Sequence, residues 1–383
     1  MARPKKRGRN PAADLTDDLV VEILSRLPAK SVCHFKCVSR RWRRRLIGHP
    51  DYRAKLPQTL SGFFRDLDTL NEGHGTISST YILISDEEDD DDDFSGYDVV
   101  SDPALSFLPG YRSVVPKSCS NGLLLCLCWN IASTTESDYV VCNPATQQWM
   151  TVPGSGQRYR TLMRMHLAAA ASGHFHVFAL LPDEFLDGYL NDVDIYSSET
   201  GAWSHHESAW EDDVAVFPRS VFHHGMLHLV TVRLSYDQSS TIVAVDTEGK
   251  TWRTIPLLES MDSGYPYSSN GPFIGVSQGR LQYVNHRRRD QYTLSVWIRG
   301  GGDDDDQWIF RYSIRSTGIF GGRVSDLEDY SLVGIHPECN TVYFGLKRRR
   351  KCVLLSYDMD RGIVRVLIRN IRSSGWSETP YLP

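Results

Sequence analysis

Four times along this chain a turn glycine is followed by alternating apolar residues: Gly122-Leu-Leu-Leu-Cys, Gly173-His-Phe-His-Val-Phe, Gly225-Met-Leu-His-Leu and Gly279-Arg-Leu-Gln-Tyr-Val. The glycines stand 51, 52 and 54 residues apart, and Asn340-Thr-Val-Tyr-Phe continues the series less regularly, 61 residues on. Each glycine strand leads into a second hairpin: Val141-Cys-Asn-Pro-Ala-Thr-Gln-Gln-Trp149, Ile195-Tyr-Ser-Ser-Glu-Thr-Gly-Ala-Trp203 and Val245-Asp-Thr-Glu-Gly-Lys-Thr-Trp252. A turn residue, Asn143, Ser197 or Asp246, lies six places before each tryptophan, and looser copies end at Trp308 and, with Asp358 and Val364 in the corresponding places, beyond it. Glycine-to-tryptophan distances of 27, 30, 27 and 29 residues mark one repeated unit.

Period-two alternation between turn residues is strand patterning. With the strand before each glycine, such as Arg219 to Phe222 before Gly225, a unit holds four strands. Four-stranded units at this spacing are the pattern of propeller blades, which bury their faces against one another. The repeated tryptophans therefore read as core. Gly62-Phe-Phe-Arg, Tyr81-Ile-Leu-Ile and Phe107-Leu-Pro supply an irregular further blade, for about six in all.

The first fifty residues follow a different period. Thr16 precedes Leu19, Val20, Ile23, Leu24 and Leu27, whose spacing predicts one apolar helical face, and Pro28 stops the helix. Thr16 suits the cap, and Asp17 and Asp18 suit the positive end of the helix dipole. A second helix is expected through Val32, Phe35 and Val38 and a third through Trp42 and Leu46, ended by Gly48 and Pro50.

The run Leu15-Thr-Asp-Asp-Leu-Val-Val-Glu-Ile-Leu-Ser-Arg-Leu-Pro-Ala-Lys-Ser-Val, continued by Phe35-Lys-Cys-Val-Ser-Arg-Arg-Trp42 and Leu46-Ile47, closely resembles the F-box. Thr16 stands where that family usually has proline, and both residues suit a helix start. The resemblance implies docking on a Skp-type adaptor and, through it, on a cullin scaffold. It assigns the contact surface to Leu15, Leu19, Ile23, Leu24, Leu27 and Pro28, supported by Lys30, Val38 and Trp42; core packing is an equal reading of Trp42. A module this short cannot hide every apolar residue internally, and anchors on a rigid helix fit a partner's groove.

Ser118-Cys-Ser-Asn-Gly-Leu-Leu-Leu, Asn143-Pro-Ala-Thr, Val193-Asp-Ile-Tyr-Ser-Ser-Glu-Thr-Gly-Ala-Trp, Ser277-Gln-Gly-Arg-Leu and Ile335-His-Pro-Glu-Cys-Asn resemble the F-box-associated domain that follows the F-box in a very large plant family. The expected fold is mainly β with a small α module: a three-helix F-box followed by a β-propeller-like domain of about six blades. The expected segments are a basic tail at 1–13, the F-box at 14–55, a linker and irregular first blade with an acidic loop at 56–115, and the repeated domain at 116–383.

Composition sets the remaining limits. With 42 basic and 47 acidic residues the net charge is -5, which gives no global electrostatic reason to expect nucleic acid. No apolar run approaches the ~20 residues that cross a bilayer, and no hydrophobic signal segment follows Arg3 to Arg9, so the chain reads as soluble and intracellular, in cytoplasm or nucleus. Lys5-Lys6-Arg7-Gly8-Arg9 reads as a solvated tail or an import signal. Eight cysteines without paired spacing point to reduced thiols.

The acidic runs Asp86 to Asp93 and Asp303 to Asp306 read as solvated loops; the sharper alternative is that they repel acidic partners or select basic ones, and that the basic runs Arg287 to Arg289 and Lys347 to Lys351 do the converse. No catalytic, metal or cofactor set is expected. His174 and His176 face one side of a strand without a partnered ligand; His205-His206 and His223-His224 are adjacent pairs that in strands point to opposite faces; Cys33, His34 and Cys37 fall in the helical module. The favoured function is recruitment of an unknown protein substrate to an SCF-type ubiquitin ligase. The competing readings are an adaptor-bound scaffold without ubiquitylation and a propeller enzyme.

Overall fold

The computed structural model describes residues 16–25, 62–69, 76–83, 105–133, 136–154, 164–170, 173–182, 190–207, 214–233, 240–261, 271–287, 290–300, 307–320, 330–348, 351–372 and 378–381. They fall into two compact units, one holding an N-terminal helix, α1 (Asp17–Ser25), and the other holding the sheets.

The sheet unit begins with β1 (Gly62–Thr69) and β2 (Thr76–Leu83), an antiparallel pair. Five four-stranded antiparallel sheets follow, each built from consecutive strands. Blade 1 is β3 (Tyr111–Ser120), β4 (Leu123–Asn130), β5 (Ser137–Asn143) and β6 (Gln148–Val152); blade 2 is β7 (Arg164–Ala169), β8 (Phe175–Pro182), β9 (Leu190–Ser197) and β10 (Ala202–Glu207). Blade 3 is β11 (Val214–His223), β12 (Met226–Arg233), β13 (Ser240–Asp246) and β14 (Trp252–Pro256). Blade 4 is β15 (Phe273–Ser277), β16 (Arg280–Arg287), β17 (Asp290–Arg299) and β18 (Trp308–Arg315); blade 5 is β19 (Tyr330–Ile335), β20 (Thr341–Arg348), β21 (Lys351–Asp358) and β22 (Ile363–Arg372). Finally β23 (Glu378–Tyr381) returns to pair with β1.

The first strand of each blade lies beside the first strand of the next: β3 by β7, β7 by β11, β11 by β15, β15 by β19, then β19 by β23 and β23 by β3. That closed circuit makes the sheets a ring. The expectation of about six blades is corrected to five. The sixth sector is a three-stranded sheet, β2-β1-β23, because its inner strand comes from the far end of the chain and not from the local hairpins.

Turn chemistry explains why the repeat was visible. Asn121 and Gly122 (φ 46° and 78°), His224 and Gly225 (47° and 77°) and Gln278 and Gly279 (51° and 70°) all occupy the left-handed region, the two-residue turn whose twist matches antiparallel strands. In the outer hairpins the residue six before tryptophan accepts amide hydrogens from its own turn. Asn143 Oδ1 accepts from Ala145 (3.0 Å) and Thr146 (3.2 Å), and Asp246 Oδ1 from Glu248 (3.2 Å) and Lys250 (2.9 Å). Asp358 Oδ1 accepts from Asp360 and Arg361, both at 3.0 Å.

Apolar side chains fill the wedges between neighbouring sheets. Leu125, Met165 and Val177 pack blade 1 on blade 2; Ile195, Val216 and Leu229 pack blade 2 on blade 3; Val230, Ile274 and Trp308 pack blade 3 on blade 4. A short helix α2 (Ser316–Phe320) adds Ile319 and Phe320 to the wedge of blades 4 and 5. The closing sheet uses two adjacent residues. Phe64 joins Leu124 and Val140 of blade 1, and Phe63 meets Tyr343 of blade 5 edge-on at 5.3 Å; both phenylalanines are buried.

Candidate functional site

Two places have the properties of binding surfaces: the outer face of α1 and the inner strands of the ring. In α1 the Thr16 hydroxyl accepts from the Leu19 amide at 3.4 Å and the Thr16 carbonyl from the Val20 amide at 3.1 Å, so threonine caps the helix as its position suggested. Asp17 and Asp18 occupy the first turn.

The apolar series is divided between two faces, not gathered on one. Val20, Val21 and Leu24 are buried, whereas Leu19 and Ile23, one turn apart, are 54% and 50% exposed. Leu19 and Ile23 are thus the described candidate anchors that face outward, and Leu24 packs inward. Leu15, Leu27, Pro28, Lys30, Val38 and Trp42 lie outside the described residues, as do Cys33, His34 and Cys37.

On and beside the inner strands, hydrogen bonds join each blade to a neighbour. Ser118 Oγ and Ser120 Oγ of β3 accept from the Leu167 and Ala169 amides of β7 at 3.1 and 2.9 Å. His166 Nδ1 of β7 and Ser220 Oγ of β11 lie 2.6 Å apart. Ser277 Oγ of β15 donates to the Cys339 carbonyl at 3.3 Å, and the Gln278 amide to the Pro337 carbonyl at 2.6 Å. The phrases Ser118-Cys-Ser-Asn, Ser277-Gln-Gly and His336-Pro-Glu-Cys-Asn thus have a physical role: they tie one blade to its neighbour.

Bulges interrupt these strands. Pairing of β3 with β4 skips Arg112 and Lys117, and pairing of β11 with β12 skips Phe217, Pro218 and Arg219. Pro116-Lys117-Ser118 and Pro218-Arg219-Ser220 are 102 residues apart, two repeats, a signal that was present in the sequence but passed over. Arg219 crosses blade 4, its guanidinium 5.5 Å from the centre of the Phe273 ring, and donates to the Val333 carbonyl of blade 5 at 3.4 Å. Val333 is the residue skipped by the β19–β20 pairing, so the arginine serves a carbonyl that a bulge released.

The histidines form no metal cluster among the described residues. His205 Nδ1 holds buried Asp194 at 2.8 Å, and this bond raises the imidazole pKa. His206 instead lies 2.8 Å from Ser204 Oγ. The expectation for His223 and His224 is corrected: their rings stack at 3.8 Å, since His224 sits in the turn with φ 47° and strand alternation does not apply to it. Burial lowers the pKa of half-buried His176, and His174 immediately precedes β8. Cys126 and Cys128 are buried, and burial pushes their thiols up, away from thiolate reactivity. The repeated tryptophans are not uniformly core: Trp308 is 8% exposed but Trp149 is 41% exposed. Arg287 lies at the tip of the β16–β17 hairpin, while Lys347, Arg348 and Lys351 surround the β20–β21 tip; Asp86 to Asp93 and Asp303 to Asp306 lie outside the described residues.

Residues 13–52 match the F-box domain family, and residues 104–376 match the family described as F-box protein At3g26010-like, beta-propeller. The F-box protein At5g07610 of Arabidopsis thaliana is 25% identical over 335 residues, covering 82% of this chain and 74% of that protein. The F-box protein At3g26010 of the same plant is 25% identical over 341 residues, covering 86% and 73%. Among solved structures, TolB from Acinetobacter baumannii overlaps 86% of this chain and 69% of its own, with a TM-score of 0.45 and 9% identity, too loose an overlap to bear on function.

Proposed function

The chain belongs to the F-box proteins that carry an At3g26010-like β-propeller, and from that membership we propose that it is the substrate-recognition subunit of an SCF-type ubiquitin ligase. The F-box implies a Skp1-type adaptor and, beyond it, a cullin. The observation that carries the reading is the outward pair Leu19 and Ile23 on a capped helix within the F-box match. Two large apolar side chains half exposed on a rigid helix are suited to a partner's groove. Residues 14–55 would dock, 116–383 would hold a target protein, and 56–115 would join them behind a basic tail at 1–13. Leu15, Leu24, Leu27, Pro28, Lys30, Val38 and Trp42 complete the proposed docking module, with Leu24 acting from its interior.

The mechanism is tethering. One end fixed to the ligase and the other to a target raises the concentration of target lysines beside the ubiquitin-loaded enzyme, so this subunit makes no bond itself. No helix among the described residues is long and apolar enough to cross a membrane; the proposed setting is cytoplasm or nucleus, where such ligases act.

Leu19→Asp together with Ile23→Asp should abolish capture of a purified Skp-type adaptor while the ring unit keeps its unfolding transition. Full capture by that variant would defeat the docking assignment. Adaptor capture without ubiquitin transfer to any bound protein in a reconstituted ligase would favour a scaffold.

A further inference from the structure

On the inner strands of the five blades every charged residue is basic. Of the chain's 47 acidic residues none falls on β3, β7, β11, β15 or β19, and β23 carries Glu378; the same strands carry Arg112, Lys117, Arg164 and Arg219. Three of the four basic residues are those that the bulges of β3 and β11 take out of ladder register, and a bulge re-aims the side chain it carries.

The same hydrogen bonds that stitch blade 1 to blade 2 bring Lys117 and Arg164 onto adjoining strands. Lys117 adjoins Ser118, which is bonded to Leu167 of β7, and Arg164 lies three residues before Leu167 on that strand, whereas the Arg219 guanidinium turns to blades 4 and 5. Lys117 and Arg164 are exposed. Partial desolvation lowers the Arg164 pKa. The positive field also reaches His166, whose pKa is pushed down to about 4, by burial first and by Arg164 second.

We propose that the inner surface of blades 1 and 2, carrying Lys117 and Arg164 with Arg112 further along β3, is the receptor site for an acidic peptide segment of the protein to be recruited. The charge can come from aspartate and glutamate or from phosphoserine, which present the same anionic oxygens to arginine and lysine. A short segment fits better than nucleic acid. The chain as a whole is at -5 and repels a long polyanion, whereas a focused basic surface within an acidic protein draws in a local negative stretch. This inference rests on the substrate-receptor reading and names the class of its substrate.

The test uses full-length protein and three labelled probes: a glutamate-rich peptide, a neutral peptide carrying phosphoserines, and a single-stranded oligonucleotide. The expected result is saturable binding of one or both peptides that weakens steeply with salt. Lys117→Glu with Arg164→Glu should cost roughly tenfold or more in affinity, and Lys117→Gln with Arg164→Gln less. Arg253→Glu and Arg365→Glu, on the outer strands β14 and β22, should cost nothing. Binding of the glutamate-rich peptide alone or the phosphopeptide alone fixes the source of charge. Equal losses in inner- and outer-strand variants, undiminished binding in correctly folded inner variants, or binding of the oligonucleotide but neither peptide would overturn the proposal. Adaptor capture is read on the same proteins. Capture without peptide binding refutes this site alone, and absence of capture refutes the receptor reading whatever the peptides do.

Discussion

The Trp203 indole of blade 2 donates to the Pro153 carbonyl at the end of blade 1, at 2.7 Å, and Trp308 of blade 4 does the same to Pro256 of blade 3 at 3.1 Å. Trp252 donates within its own turn, to the Gly249 carbonyl at 3.1 Å. The repeated tryptophan is therefore a rivet between successive outer strands at two of its positions. Trp203→Phe keeps the packing but loses the bond, and should lower stability by about 1 kcal/mol. Trp149→Phe, at the exposed copy, should stay within about 0.5 kcal/mol. Urea denaturation of the two variants measures the contrast.

Gly249 has φ 68°, and a Cβ there would fall on the His206 ring of the preceding blade. Gly249→Ala should cost about 1 kcal/mol for the left-handed backbone and about 1–3 kcal/mol for overpacking. Adding His206→Ala should recover the second part and leave the first. A double-mutant cycle with no coupling between the sites would contradict that contact.

His166, His223 and His228 are each pushed down to about 4, in every case chiefly by burial. A neutral imidazole in the fold that titrates near 6.5 when unfolded stabilises fully above that pH and loses the contribution as pH falls toward 4. For fully buried His166 the loss is on the order of 2 kcal/mol by pH 5. His205 has the opposite sign: its pKa is raised by the Asp194 hydrogen bond, so its contribution is present at low pH and fades as pH rises through that raised value. Denaturation between pH 7 and 5 should show net destabilisation on acidification, and His166→Gln should flatten the slope whatever its absolute stability.

The two faces of α1 should separate stability from docking. Leu24, 2% exposed, should cost about 2–5 kcal/mol as Leu24→Ala. Leu19→Ala should leave helix content unchanged by circular dichroism yet weaken adaptor capture measurably. Equal losses of helix in both variants would mean that Leu19 is packed.

The blades were legible because their turns need particular residues. A left-handed backbone at Gly122, Gly225 and Gly279 and a side-chain acceptor at Asn143, Asp246 and Asp358 fix the period, and no packing detail is required to see it. The closing sheet was not legible, since β1 and β23 are joined by pairing across more than 300 residues with no turn to announce it. Bulges are set by register between strands, so Lys117 and Arg219 looked like ordinary strand residues. In α1, residues at 19, 20, 23 and 24 fit one broad apolar stripe on paper; in the fold, one side of that stripe is covered and Leu19 and Ile23 remain outside.

Because β23 supplies the inner strand beside β1, a ribosome must release residues 378–381 before the circle can shut. Until then the nascent chain is an open arc, in which Phe64 can meet blade 1 early but Phe63 must wait for Tyr343 of blade 5 to come round. Premature termination upstream of that strand would leave an unsealed molecule with bare apolar edges, the kind of product that chaperones hold and proteases clear.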